Sequence, residues 1–381
     1  MRAPVTATGN GTDLMAIRTL SNRALNRALL ARQGLLKRQR LSIADIVHRV
    51  GGLQSQEPRD PYVALWTRLS AFKGESLHAA AQRGDVVRGS YLRSTIHTVA
   101  SADFLAYRPV LQQVIDRELE TAHWRAISGG FDPARVEPLA RALMAQRPMS
   151  AQELGAALLA HFPDAQKAGL GHWVRTSVAL AIIPSDDRWG YPRPPRFVPA
   201  EQWLQQPLAP ASTAELLLHG IAAIGPASSA DLRSWSGLRG IKPALEALRP
   251  QLQEYRDESG RELFDLPQAP RPRADTPAPV RLLPEYDNVF LSHDDRDRIV
   301  LPQHSQHFTQ AANGRRLRAV LVDGFVRAGW SHACDKGRAS IQVKLFDRFD
   351  AGTRDDIATE ALALLHFLEP DADHHDVELH P

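Results

Sequence analysis

The run AELLLHGIAAIG (214–225), ADLRSWSGL (230–238), PALEALRPQL (243–252) and QEYRDESGRELFDL (253–266) decides how this chain is read. Apolar residues recur at helical spacing in the first three pieces, and the last alternates about a Ser259-Gly260 turn. The order is helices followed by a hairpin. The same order precedes it: Ser150 and Glu153 form an S-x-x-E capping box, and ELGAALLAHF (153–162) and WVRTSVALA (173–181) read as helices. A strand–turn–strand is expected around Asp186-Asp187-Arg188-Trp189-Gly190. A first unit lies at about 20–100. A helical pattern covers Leu14–Leu30, with Arg18, Arg23, Arg27 and Arg32 along it, and Ser42 caps a helix carrying Ile43, Ile46, Val47 and Val50. Gly51-Gly52 closes that helix, and Asp60-Pro61 supplies N-cap and first position of the next. SYLRSTIHTV (90–99) alternates like a half-buried strand, with Leu92 and Ile96 on one face and Arg93, Thr95 and His97 on the other.

Beyond 266 the chemistry changes. PQAPRPRADTPAP (267–279) reads as a proline-rich linker. VRLLPEYDNVFL, RAVLVDGFVRAGW and ASIQVKLFDRF then have strand character, RDDIATEALALLHFL is a closing helix, and the His-rich acidic end is expected to fray. The fold class is α+β: tandem helix-turn-helix units of winged-helix type followed by a small β-rich domain. The boundaries are 1–13 (disordered leader), 14–148, 149–210, 211–266, 267–279 and 280–381.

The 381 residues carry a formal charge of only +3, but residues 1–130 hold 18 Arg and Lys against 10 Asp and Glu, and the remainder 28 against 33. A polyanion would favour the N-terminal third, although an arginine-rich solvated surface accounts for the same counts. With Cys334 alone, no intramolecular disulfide forms. No apolar run nears the ~18 residues of a membrane span, and a cytoplasmic location is expected. His304 with His307, and His374-His375, lack the partners of a zinc site, so neither metal nor cofactor is expected. No P-loop, G-x-S-x-G or dinucleotide motif occurs.

Gln54-Ser55-Gln56 stands between two helices. In extended backbone the two carboxamides project to one side, and such a pair can hold one water, although Q-x-Q alone is more often a polar turn. Four longer motifs change its weight: GGLQSQEPRDPYVALWTRL (51–69), LRSTIHTV (92–99), LLPEYDNVFLSHDDR (282–296) and VLVDGFVRAGW (320–330). With these the chain resembles the AlkZ/YcaQ superfamily of winged-helix DNA glycosylases over nearly its whole length. The Gln-x-Gln pair places it with the AlkZ branch rather than the Gln-x-Asp YcaQ branch. The resemblance implies hydrolysis of the N-glycosidic bond of N7-alkylguanine in double-stranded DNA, bulky adducts or crosslinks included, in repair or in self-resistance to a genotoxic product. Gln54 and Gln56 are then catalytic, and Arg59, Arg93, Thr95 and His97 contact DNA. For Thr95 and His97, support of the glutamine segment is the competing role. The Glu285-Tyr286-Asp287 turn and Arg298 are read as architectural. Val320–Trp330, turning at Asp323-Gly324, is the candidate hairpin for the minor groove. Six lysines, none nearer in sequence than Lys37, leave a Schiff-base lyase unsupported. A non-catalytic DNA-binding regulator or drug-resistance factor is the rival reading, and a protein–protein role for the winged units is the third.

Overall fold

The computed structural model describes residues 17–309 and 318–381; the expected leader at 1–13 lies outside them. Helix α1 (Asn22–Arg32) starts where the Ser21 hydroxyl accepts from the Ala24 amide, and it is buried along most of its length, Arg27 and Arg32 included. Helix α2 (Ile43–Arg49) is capped by Ser42 as expected. Gly51 and Gly52 follow with φ of 79° and 90°, and a Cβ on Gly51 would sit 3.1 Å from the Trp235 ring. That left-handed pair turns the chain into strand β1 (Leu53–Gln54). Helix α3 (Asp60–Arg68) has Arg59, not Asp60, at its N-cap, one residue earlier than expected. Helix α4 (Gly74–Arg83) and strand β2 (Val86–Ser90) come next.

The single strand expected over 90–99 is instead a corner. β2 ends at Ser90, a one-turn 3-10 segment occupies Leu92–Ser94, and strand β3 (Ile96–Ala100) returns antiparallel to β2. Arg93 and Ser94 take positive φ of 56° and 59°, which alternation of side-chain type does not reveal.

Helices α5 (Ser101–Val110), α6 (Gln112–Ile115), α7 (Ala122–Ile127) and α8 (Pro133–Gln146) lead to α9 (Ala151–Leu159), whose Ser150/Glu153 capping box forms as read. Helix α10 (Lys167–Ser177) precedes strands β4 (Leu180–Ile182) and β5 (Phe197–Pro199). The Asp186–Gly190 turn is one part of a longer excursion between these strands. β4 and β5 pair with each other and pack against α8–α10, and β4 also pairs with β2, which completes a five-stranded sheet, β1-β3-β2-β4-β5. Helix α11 (Ala200–Leu204) leads on to the 214–266 run, which folds in the order read: α12 (Thr213–Ile224), α13 (Ser229–Ser236), α14 (Lys242–Leu248), then a β6 (Gln253–Arg256)–β7 (Glu262–Asp265) hairpin.

Residues 267–279 carry no helix or strand but are not a free tether: Thr276 O accepts from Arg27 Nε at 2.6 Å and Ala274 O from Arg23 Nε at 2.8 Å. Strand β8 (Arg281–Leu282), helices α15 (Asn288–Leu291) and α16 (Ser305–Thr309), and strands β9 (Arg318–Val322), β10 (Phe325–Asp335) and β11 (Arg338–Leu345) follow, then α17 (Ala351–Leu368). The end that was expected to fray is strand β12 (His374–His380), parallel to β11, in a second sheet ordered β12-β11-β10-β9-β8. The Asp323-Gly324 turn is also not the open probe expected: Asp323 takes Arg23 and Arg27, and Asn26 Nδ2 donates to Gly324 O at 2.7 Å. Turn chemistry gave the turn; the arginines of α1 close it off. Among the described residues no helix is long and apolar enough to cross a membrane.

The expectation that the Glu285–Asp287 turn is architectural has a specific basis. Asp287 receives Arg68 in a two-pronged pair at 2.7 and 2.8 Å, with both side chains fully buried. Asn288 Nδ2 donates to Val50 O at 2.8 Å and Gly52 O at 2.6 Å. Removing one partner leaves an uncompensated buried charge. Asp287→Ala is therefore expected to cost about 3–5 kcal/mol in urea unfolding; a loss under about 0.5 kcal/mol, the range of an ordinary surface change, would contradict the role assigned to this pair.

Candidate active site

Gln54 and Gln56 flank Ser55, and Ser55 is the anchor. Its amide donates to Ile96 O at 2.7 Å, its hydroxyl accepts from Thr98 N at 2.9 Å, and its carbonyl takes Arg88 Nη2 at 2.6 Å. A side chain buried on one side of an extended segment turns its neighbours to the other. Gln54, nearly buried, sits opposite His97 in the ladder, and Gln56 is exposed.

Both amide orientations are dictated by their partners. Gln54 Oε1 accepts from Arg93 Nη2 at 3.0 Å, and Gln56 Oε1 accepts from the Ile96 amide at 3.0 Å. Guanidinium and backbone N–H groups only donate, so the oxygens face the protein and each NH2 is directed away from its anchor. Arg93 also donates Nη1 to Trp235 O at 2.6 Å, which ties Gln54 to α13. The positive φ of Arg93 brings this about: the corner re-aims a side chain that a straight strand would carry elsewhere.

His97 is fully buried, and burial first, then Arg93, pulls its pKa down to about 3. Its Nδ1 lies 3.0 Å from Thr95 O, so it donates there as a neutral ring, and Nε2 faces Arg93 at 3.5 Å. Of the two roles read from the sequence, support of the segment is the one this placement serves. Thr95 Oγ1 donates to Leu92 O at 3.0 Å, within the corner. Arg59 is separate from this group: its Nη1 meets His332 Nδ1 of β10 at 2.9 Å. Arg88, stacked 4.7 Å from the Tyr191 ring, and the Ser94–Glu118–Arg175 chain (3.0 Å at each link) are parts that sequence reasoning missed. No local motif marks either.

Residues 47–367 match the profile of a family described as DNA glycosylase AlkZ-like. The chain belongs to the AlkZ-like DNA glycosylase family. Among solved structures it is similar to the DNA glycosylase AlkZ of Streptomyces sahachiroi, with 18% identity, 95% of this chain and 100% of that chain covered, and a TM-score of 0.76; at this identity the likeness is one of fold. No curated protein matches. For an AlkZ-like DNA glycosylase, DNA is the polymer acted on, and the glutamine segment sits inside the matched region.

Among the ionisable groups close to the pair in sequence, Asp60 is perturbed toward neutral pH. Burial raises Asp60 from 3.8 to about 7, against the opposing pull of Arg318, and its Oδ2 has no hydrogen-bond partner. This carboxyl holds a proton more readily folded than unfolded, so its contribution to stability is full below pH 4 and lost as the pH rises through 7. Asp60→Asn is expected to gain on the wild type by about 2–4 kcal/mol between pH 4 and 8 in denaturant titrations. A difference that does not change with pH would show that the carboxylate is fully compensated.

Proposed function

We propose that this chain hydrolyses the N-glycosidic bond of N7-alkylguanine in duplex DNA as a monofunctional glycosylase. The fixing of both glutamine oxygens by donor-only partners carries the reading. An N7-alkylated guanine is cationic, so the C1′–N9 bond breaks with both electrons going to the base, which leaves neutral, while the sugar becomes oxocarbenium-like. No acid is needed for the leaving group. What remains is to hold a water against C1′, and the outward NH2 groups and second oxygen lone pairs of Gln54 and Gln56 suit that task. The water oxygen bonds C1′, and its spare proton passes to solvent.

Among the described residues, none of the side chains that hold the glutamines is a lysine, which supports hydrolysis without a Schiff base. Helices α9–α10 and α12–α14 with their strand pairs serve as winged-helix modules on the duplex in this reading. Arg59 is assigned a phosphate contact, Arg93 and Thr95 face DNA from the corner, and His97 backs them. The exposed β10–β11 tip, Asp335–Arg338, replaces the closed Asp323-Gly324 turn as the element for the minor groove.

Single-turnover release of 7-methylguanine, with a bulky N7 adduct run alongside, tests the mechanism. Gln54→Ala and Gln56→Ala are each expected to lose about 100-fold or more in rate, non-additively, with duplex binding retained. Full excision by the double variant removes the glutamines from the mechanism; tight binding with no excision by wild type favours the non-catalytic regulator. Arg59→Ala is expected to flatten the logarithmic salt dependence of binding by about 0.9. An unchanged slope withdraws its phosphate contact.

A further inference from the structure

A second convergence of side chains lies beside the Trp235 ring. His48 comes from the last turn of α2, Asp103 from the first turn of α5 and His219 from the middle of α12. Their ligand atoms all lie within 4.8 Å of one another, a property of this group alone among the described residues. His48 Nδ1 is 2.9 Å from both Asp103 oxygens, and the His48 and His219 rings meet edge to face at 4.7 Å.

We propose that His48, Asp103 and His219 bind a divalent transition-metal ion of the zinc class. Two imidazoles and one carboxylate are a common ligand set for such ions, with water in the fourth place. His219 is already prepared as a ligand. Its ring meets His48 edge to face at 4.7 Å and stacks on Trp235, so its position is fixed before an ion arrives. Asp103 is buried and supplies negative charge, with Asp45 a further carboxylate acting on His48. The His48 side chain is 58% exposed, which gives an ion access and leaves room for water. Metal–ligand distances of about 2.0–2.2 Å need donors closer than the present spread, and the exposed His48 side chain is the one free to swing inward. The neighbouring Tyr107 ring stands 5.4 Å from His219 and Trp235 stacks 6.3 Å away, so the cluster has an aromatic wall.

The consequence is mechanical. A bound ion would staple α12 to α2, and α2 runs through Gly51-Gly52 into the glutamine segment. Trp235, whose carbonyl holds Arg93, stacks on His219 and stands 3.1 Å from where a Cβ on Gly51 would lie.

The experiment is titration of the full chain, stripped with chelator, with Co2+ followed by Zn2+. One Co2+ per chain with tetrahedral visible bands, displaced by Zn2+, is expected, together with a Zn2+-dependent rise in melting temperature. His48→Gln keeps a hydrogen-bonding partner for Asp103 but is a poor ligand, and His219→Gln acts likewise. Each is expected to weaken Zn2+ by more than about 100-fold while circular dichroism is unchanged. His374→Ala with His375→Ala controls for the exposed end of the chain and is expected to bind as the wild type. Absence of the Co2+ bands at millimolar metal overturns the proposal. So does wild-type affinity in a His48→Gln/His219→Gln variant.

Discussion

The two-pronged pair between Arg68 and Asp287, with neither side chain exposed, is the constraint on which the rest depends. Charges so buried are tolerated only when each satisfies the other, so α3 and the turn before α15 cannot separate without a large cost. That lock places Asn288 against the carbonyls of Val50 and Gly52, where it holds the chain just before β1. β1 has two residues and could not stand alone. It is fixed by Asn288 on one side and by β3 on the other. The distant halves of the sequence thus meet at the glutamines.

A second pair repeats the principle: Arg32 reaches Asp265 at 2.8 Å and Ile221 O at 2.8 Å, which ties α1 to α12 and β7. One apolar cluster, from Leu29 through Trp235 and Phe264 to Phe290 and Leu321, runs across these elements. The rigidity this gives matters for the role proposed for the two amides. A carboxamide is a weak catalyst by acid–base standards and must work by position, so its oxygen has to be anchored before the substrate arrives. The strained Arg93 corner and the neutral, buried His97 provide that anchoring for Gln54 without placing a strong base at the pair.

Local signals were legible where local physics decides. Ser42, Ser150 with Glu153, and the 214–266 helices and hairpin formed as read, because capping and periodicity act within a few residues. Apart from the one-residue shift of the α3 N-cap to Arg59, the differences are long-range. The 90–99 segment alternates like a strand, yet Arg93 and Ser94 bend it, and their strain is held by contacts to Trp235 and Glu118 that no spacing encodes. β4 and β5 pair with each other as read, and what the spacing does not show is that β4 also joins the first sheet through β2. The tail became β12 by pairing with β11, and the Asp323-Gly324 turn was closed by arginines about 300 residues earlier. The glutamines are singled out only through the longer motifs around them, and their catalytic role stays a proposal; Q-x-Q alone carries almost nothing. His48, Asp103 and His219 could not have been grouped by any motif.

In the proposed mechanism a neutral pair, and no ionisable base, orients the water. His97 is held neutral well below working pH, whereas Asp60, near 7, has the pKa a general base would want. The pH dependence of single-turnover base release from 7-methylguanine duplex therefore decides between them. With the glutamines as the orienting groups, the rate is expected to be flat from about pH 5.5 to 9. A limb that titrates near pH 7 and disappears in Asp60→Asn would contradict it and move the chemistry from the glutamines to that carboxylate.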